Sequence, residues 1–215
     1  MIIGKLMLVF TQKEKSLMQK LNTPAKVQNF LNDLRFNFEE KGETLKSPLM
    51  VLRTKSAHCF EGALLGAYIL SLHGYLPLVL HLETTNNDYD HVITPFRQYG
   101  LWGALSKTNH AVLRYREPIY KNIRELAMSY FHEYFLSKNG KKTLRKYSKP
   151  LNLNIFGKNW ITDEKDLWYI DKKLDKIKHS EIAPKKVLKN LRQAEKIEIK
   201  AGKITEFAKI GNKIV

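Results

Sequence analysis

Cysteine is nearly missing: Cys59 is the only one in 215 residues. That excludes an internal disulfide and the whole class of small disulfide scaffolds. It fits a reducing compartment, so a cytoplasmic location is expected. Long apolar runs are missing too, and nothing approaches the length of a membrane span. The opening MIIGKLMLVF is apolar but short and broken by Lys5. With no basic start and no small-residue cleavage site, it is not expected to be a signal peptide. Neither C-x-x-C nor H-E-x-x-H occurs, so His58, Cys59, His81 and His91 are not expected to hold a metal. No cofactor is implied, and there is no repeat or low-complexity tract. Acid is scarce, with 21 Asp and Glu against 37 Lys and Arg and a net charge of +16. Such a balance invites an anionic partner such as nucleic acid. No nucleic-acid motif accompanies the charge, and a solvated lysine-rich surface explains it as simply.

What is present suits one globular unit with a sizeable core, 43% hydrophobic and 11% aromatic. A short helix is expected around Glu14 to Leu21. Thr23-Pro24 opens another, with Thr as cap and Pro in the first turn, and Val27, Phe30, Leu31 and Leu34 form its apolar face. Ser47-Pro48 opens a third. After Gly74 the pattern shortens. Leu76 to Leu82, His91 to Arg97, Leu101 to Leu105 and His110 to Arg114 read as four strands, although Pro95 suggests an edge or a bend in the second. A helix is expected from Asn122 to Leu136, with Tyr130, Phe131 and Tyr134 on its apolar side. Composition changes at Ser137, where SKNGKKTLRKYSKP carries six basic residues and no acid. Helices follow at Asp163 to Ile177 and Pro184 to Leu191, then a hairpin over KIEIK-AG-KITEF. The fold class is α+β, with residues 1–136 as the core and 137–215 as a basic helical extension packed on it.

The most informative stretch is KSAHCFEGALLGAYILSLHG, residues 55–74. Phe60, Ala63, Leu64, Ala67 and Leu70 recur at helical spacing, Gly62 and Gly66 leave room for a close neighbour, and Gly74 stops the helix. Cys59 falls in the first turn, where unpaired N–H groups and the helix dipole favour a thiolate. On position alone a lone cysteine is more often a small buried hydrophobe.

A cysteine nucleophile needs a base, and the base needs an orienting group. Of seven histidines, His91 stands out because it follows a polar turn and begins a strand, where a sheet presents side chains at its rim. Asp88 and Asp90 lie beside it, as modifiers or as turn formers. His58 adjoins Cys59, but neighbours in a first helical turn point in different directions.

In order and spacing, SPLMVLRTKSAHCFEGALL, LSLHGYLPLVLHL, YDHVITPF and YGLWGALS resemble the nucleophile segment, the strand after it, the histidine strand and the tryptophan turn of the transglutaminase-like superfamily. That superfamily is a branch of papain-like cysteine enzymes, and the resemblance covers about Thr23 to Arg116. SKTNHAVLRYREPIY and ELAMSYFHEYFLSKNGKKTLRKYS resemble a subgroup of bacterial proteins of unassigned function carrying this domain. The resemblance implies a papain-like core with the nucleophile helix on a small antiparallel sheet. It implies Cys59 as nucleophile and His91 as base, with Glu61 in the place of an acid two residues after the cysteine. The third catalytic residue, usually Asp four places after the tryptophan, is Ser106 here, and Asn109 lies three further on. Either can orient His91, neither brings a charge, and loss of the third member would leave a weak or inactive relative. Trp102 would wall the substrate pocket or sit in the core, and His58 is the other candidate for the pocket.

The chemistry so implied is acyl transfer from an amide- or peptide-containing substrate through a thioester on Cys59, ending on water or an amine. The alternative is an inert transglutaminase-like binding module, with Lys138, Lys141, Lys142, Arg145 and Lys146 meeting an anionic partner.

Overall fold

The computed structural model describes residues 9–208, so most of the MIIGKLMLVF opening lies outside the described residues. The chain begins with α1 (Gln12–Lys20) and α2 (Pro24–Asp33), a short β1 (Arg35–Phe36), α3 (Pro48–Thr54) and β2 (Ser56–Ala57). The cysteine helix α4 (Cys59–Ser71) follows, then β3 (Leu78–Glu83), β4 (His91–Gln98), β5 (Leu101–Leu105) and β6 (Arg116–Tyr120). The second half holds α5 (Ile123–Met128), β7 (Lys146–Ser148), β8 (Leu151–Asn152), α6 (Trp168–Lys176), β9 (His179–Glu181), α7 (Lys185–Leu188) and α8 (Lys196–Gly202). The fold is α+β.

Local chemistry sets the early helices as expected. Thr23 and Ser47 cap α2 and α3 by accepting from the N–H groups of Lys26 and Met50, and Pro24 and Pro48 begin the helices. Among the described residues, seven antiparallel strands form the main sheet in the order β6-β5-β4-β3-β7-β9, with β8 also paired to β3. The central strands β3 and β4 and the end of β5 are buried on both faces. Val79, Val92 and Leu105 join the core around α4, while their neighbours Leu80, Ile93 and Ala104 join a second core under α5. This is the period of two expected of a pleated strand.

Helix α4 packs across β4, as its glycines allow. A Cβ on Gly66 would lie 2.8 Å from the side chain of Leu105, and one on Gly62 would overlap Lys107 Cβ. Thr94 on β4 donates to the carbonyl of Ala63, 2.7 Å away, and pins the strand to the first turns of the helix.

Four expectations are corrected. Residues 110–114 are not a strand: Leu113 has φ +62°, which a ladder cannot contain, and the strand starts at Arg116. The helix from Asn122 stops at Met128, where Ser129 Oγ donates to the carbonyl of Leu126, and a 3-10 turn over Phe131–Glu133 replaces its second half. The terminal hairpin is helix α8, opened by a reciprocal cap between Glu195 and Glu198. The extension is not purely helical, for Lys146–Ser148 and Leu151–Asn152 both pair with β3. Trp160, Leu167 and Ile170 share one cluster with Phe60 and Leu64.

Candidate active site

Cys59 is the first residue of α4 and is half-buried. The helix runs thirteen residues from there, so its unpaired N–H groups and dipole act on the sulfur. Burial pushes the thiol pKa up, but hydrogen bonds from the imidazoles of His58 and then His91 outweigh it and hold the thiol well below its ordinary range. Cys59 is therefore set up as a thiolate between two imidazoles.

His91 opens β4, paired to Leu82, and is 5% exposed. The pairing of Thr94 with Leu105 carries Ser106 just past the end of β5, where its Oγ lies 2.7 Å from His91 Nε2. Ser106 Oγ also lies 2.5 Å from the carbonyl oxygen of Leu113. A carbonyl only accepts, so the serine proton goes to Leu113 and Ser106 accepts from His91 Nε2–H. That assigns the tautomer and leaves Nδ1 as the ring nitrogen for Cys59. The backbone of Ser106 is itself clamped by Gln28, which accepts from its N–H at 2.9 Å and donates to its carbonyl at 2.8 Å.

His58 is a partner of the thiol, not merely a pocket residue. Its backbone is extended (φ −93°, ψ −171°) because it is the cap, outside the helix, so the expected divergence from Cys59 does not apply. Nε2 bonds the carbonyl of Thr44 at 2.7 Å. Burial lowers the imidazole pKa, yet the bond to Cys59, its charge and that of Glu61 raise it to about 9. Glu61, fully buried, accepts from the N–H of His58 (3.0 Å), the hydroxyl of Thr44 (2.8 Å) and the N–H of Lys46 (3.1 Å). It ties the 37–46 loop to the helix start.

Asn109 is not brought to His91. Its amide bonds both the N–H (2.8 Å) and the carbonyl (2.9 Å) of Phe207, holding the last described residues against the loop after β5. Trp102 does not wall the cavity. It stands on β5 opposite Arg97 and packs on the second core. Three of the six basic residues of the 137–150 stretch are engaged within the fold. Lys142 donates to the carbonyl of His132 at 2.7 Å, Lys146 pairs with Glu83 at 2.5 Å, and Arg145 donates to the carbonyl of Lys142 at 3.0 Å. Lys138 and Lys141 are exposed.

A cavity of about 610 Å³ opens over Cys59, His58 and His91, walled by Phe36, Phe38 and Tyr134 among others. Gln28 and Tyr134 carry no functional signal in the local sequence. The amide of Gln28 reaches Ser106 across 78 positions of sequence, a contact no local pattern signals. His81 is bonded by Asp90 and His179, each at 3.1 Å. Among the described residues, no group of three or more His, Cys, Asp and Glu is arranged to hold a metal ion. No helix there is long and apolar enough to cross a membrane.

Compared with protein-family models and with curated proteins, the chain matches none.

Proposed function

We propose that the protein is a cysteine-dependent acyl-transfer enzyme of transglutaminase-like, papain-like type, acting on an amide or peptide through Cys59, His91 and Ser106. The observation that carries this reading is the oriented imidazole. His91 is bonded through Nε2 to Ser106, which is bonded onward to Leu113, and this leaves Nδ1 as the nitrogen for a thiol that His58 and His91 hold low. A packing cysteine needs no such arrangement.

In the resting ion pair the proton given up by the Cys59 thiol is held on His91 Nδ1, while His58, with a pKa of about 9, carries its own proton at neutral pH. The thiolate forms a bond to the acyl carbon and the carbonyl pair moves onto oxygen. The backbone N–H of Cys59 at the helix start is a donor for that charge. As the oxyanion collapses, the C–N bond breaks and His91 gives its proton to the leaving nitrogen. The thioester is then attacked by water or by an amine, whose proton His91 takes, and the C–S bond breaks to restore the thiolate.

The reading of an inert module with a basic docking surface draws less support, because Lys142, Arg145 and Lys146 are engaged within the fold.

The test is iodoacetamide labelling of Cys59 against pH, in wild type and His91→Ala, followed by a panel of amides. Fast labelling at neutral pH that slows sharply without His91, with turnover of at least one amide, is expected. Slow labelling indifferent to His91 would sink the catalytic reading.

A further inference from the structure

Three buried side-chain atoms have no hydrogen-bond partner among the described residues: Tyr68 Oη, Trp160 Nε1 and Tyr134 Oη. Tyr68 and Trp160 meet edge-on in the main core, ring centroids 6.3 Å apart, and neither lines the cavity. Tyr134 does, beside Cys59 and His91. Its side chain is buried at 3% exposure, so water does not readily replace the missing partner.

Tyr134 is held there firmly. The helix that began at Ile123 ends at Met128, and the 3-10 turn over Phe131–Glu133 brings the chain back toward the site. Glu133 accepts from the N–H of Leu113 at 2.5 Å and from Arg116 at 2.6 Å. The carbonyl of Tyr134 accepts from the N–H of Thr143 at 3.1 Å. Leu113 is also the residue whose carbonyl accepts the hydrogen bond of the Ser106 hydroxyl. One short segment therefore positions the phenol and supports the His91 relay together.

We propose that Tyr134 is a further catalytic residue, whose O–H donates a hydrogen bond to the substrate's carbonyl oxygen as Cys59 attacks. This rests on the acyl-transfer reading of the same site. As the Sγ–C bond forms, the carbonyl pair moves onto oxygen and the waiting phenol meets it. Tyr134 keeps its proton throughout. Burial first, then the nearby Cys59 charge, pushes its pKa well above the ordinary value, so it donates without ionising. On collapse the pair returns to carbon and the bond to the leaving group breaks. A preorganised donor that is unpaired in the free enzyme and paired in the transition state is what electrostatic catalysis requires.

The test compares wild type and Tyr134→Phe in two reactions of Cys59. Iodoacetamide alkylates by displacement at a saturated carbon and forms no oxyanion. p-Nitrophenyl acetate acylates through a tetrahedral oxyanion and releases p-nitrophenolate. The expected result is unchanged alkylation with acylation slowed by roughly 10²–10³, the usual effect of removing one oxyanion donor. Thermal unfolding of Tyr134→Phe should be unchanged or higher, because an unpaired buried hydroxyl is removed. Equal acylation in both proteins overturns the role of Tyr134 while leaving the acyl-transfer reading intact. Equal slowing of both reactions, or a lowered unfolding temperature, also overturns it, showing a structural role for the hydroxyl. Wild-type acylation no faster than that of a free thiol overturns both the proposal and the reading beneath it.

Discussion

Ser106 stands between His91 and the carbonyl of Leu113, accepting from one and donating to the other. A hydroxyl can do both, whereas a carboxylate only accepts.

Ser106→Ala should therefore slow acyl transfer by roughly one to two orders of magnitude, as expected when an imidazole loses its orienting partner. Ser106→Asp should not improve the enzyme. It sets a carboxylate against the Leu113 carbonyl, in a position only 2% exposed. Asn109→Ala should leave the His91-dependent part of the labelling profile in place, because Asn109 bonds Phe207 and not His91. Labelling and acylation rates for the three variants check this. An Asn109→Ala profile matching that of His91→Ala would reverse the assignment.

The two imidazoles give a signed pH dependence. The thiol of Cys59 is depressed, so its thiolate persists as pH falls below neutral and is lost only through that lowered pKa. His58 is raised from 6.5 to about 9, so the stability its charge contributes is complete below 6.5 and disappears as pH rises through about 9. Labelling of wild type should stay fast into mildly acid pH, and His58→Gln should shift it to alkaline pH. An NMR titration should place the His58 midpoint at about 9, falling toward or below 6.5 in Cys59→Ser. A midpoint unmoved by Cys59→Ser would mean the two groups are not coupled.

Glu61 is buried and accepts from several donors on the loop it anchors. Glu61→Gln sets an NH₂ group against them, and should cost about 1–3 kcal/mol. Urea unfolding should show a lower midpoint with little change in slope. An unchanged midpoint would mean the loop is held by other contacts.

Gly62 faces Lys107, the residue after Ser106, with no space for a methyl group between them. Gly62→Ala should cost about 1–3 kcal/mol through overpacking. It should also reduce acylation, because relief of the overlap pushes the end of β5 away from α4. Full activity in a stable Gly62→Ala protein would show that the loop after β5 can move without disturbing Ser106.

Much of the first half was legible in the sequence, for identifiable reasons. Thr23-Pro24 and Ser47-Pro48 carry their own cap chemistry, and the apolar spacing of α4 exceeds what a strand can match. Cys59, His91 and Ser106 fall at the ends of elements whose type was clear, but the pairing of Cys59 with His91 came from the family resemblance. The choice between Ser106 and Asn109 stayed open until the contacts placed Ser106 on His91 and Asn109 on Phe207. His58 was misread because its side-chain direction was argued from helix geometry, while it is the extended cap. Tyr134 was assigned to a helix face that ends six residues earlier, at Met128. In the last element, the alternation of KIEIK imitated a strand while the Glu195–Glu198 cap specified a helix.

Strand β3 is completed by residues more than sixty positions away, for Leu82 pairs with Tyr147 and Val79 with Leu151. On a ribosome the nucleophile helix and the β4–β5 hairpin emerge long before those partners do. Until then one edge of β3 is bare backbone, open to any other strand that meets it. Assembly of the sheet thus depends on a distant loop closure, which is slow compared with forming its local hairpins. A chain released at residue 136 would hold Cys59, His91, Ser106 and Tyr134 and still lack the strands that cover β3, leaving it prone to aggregate.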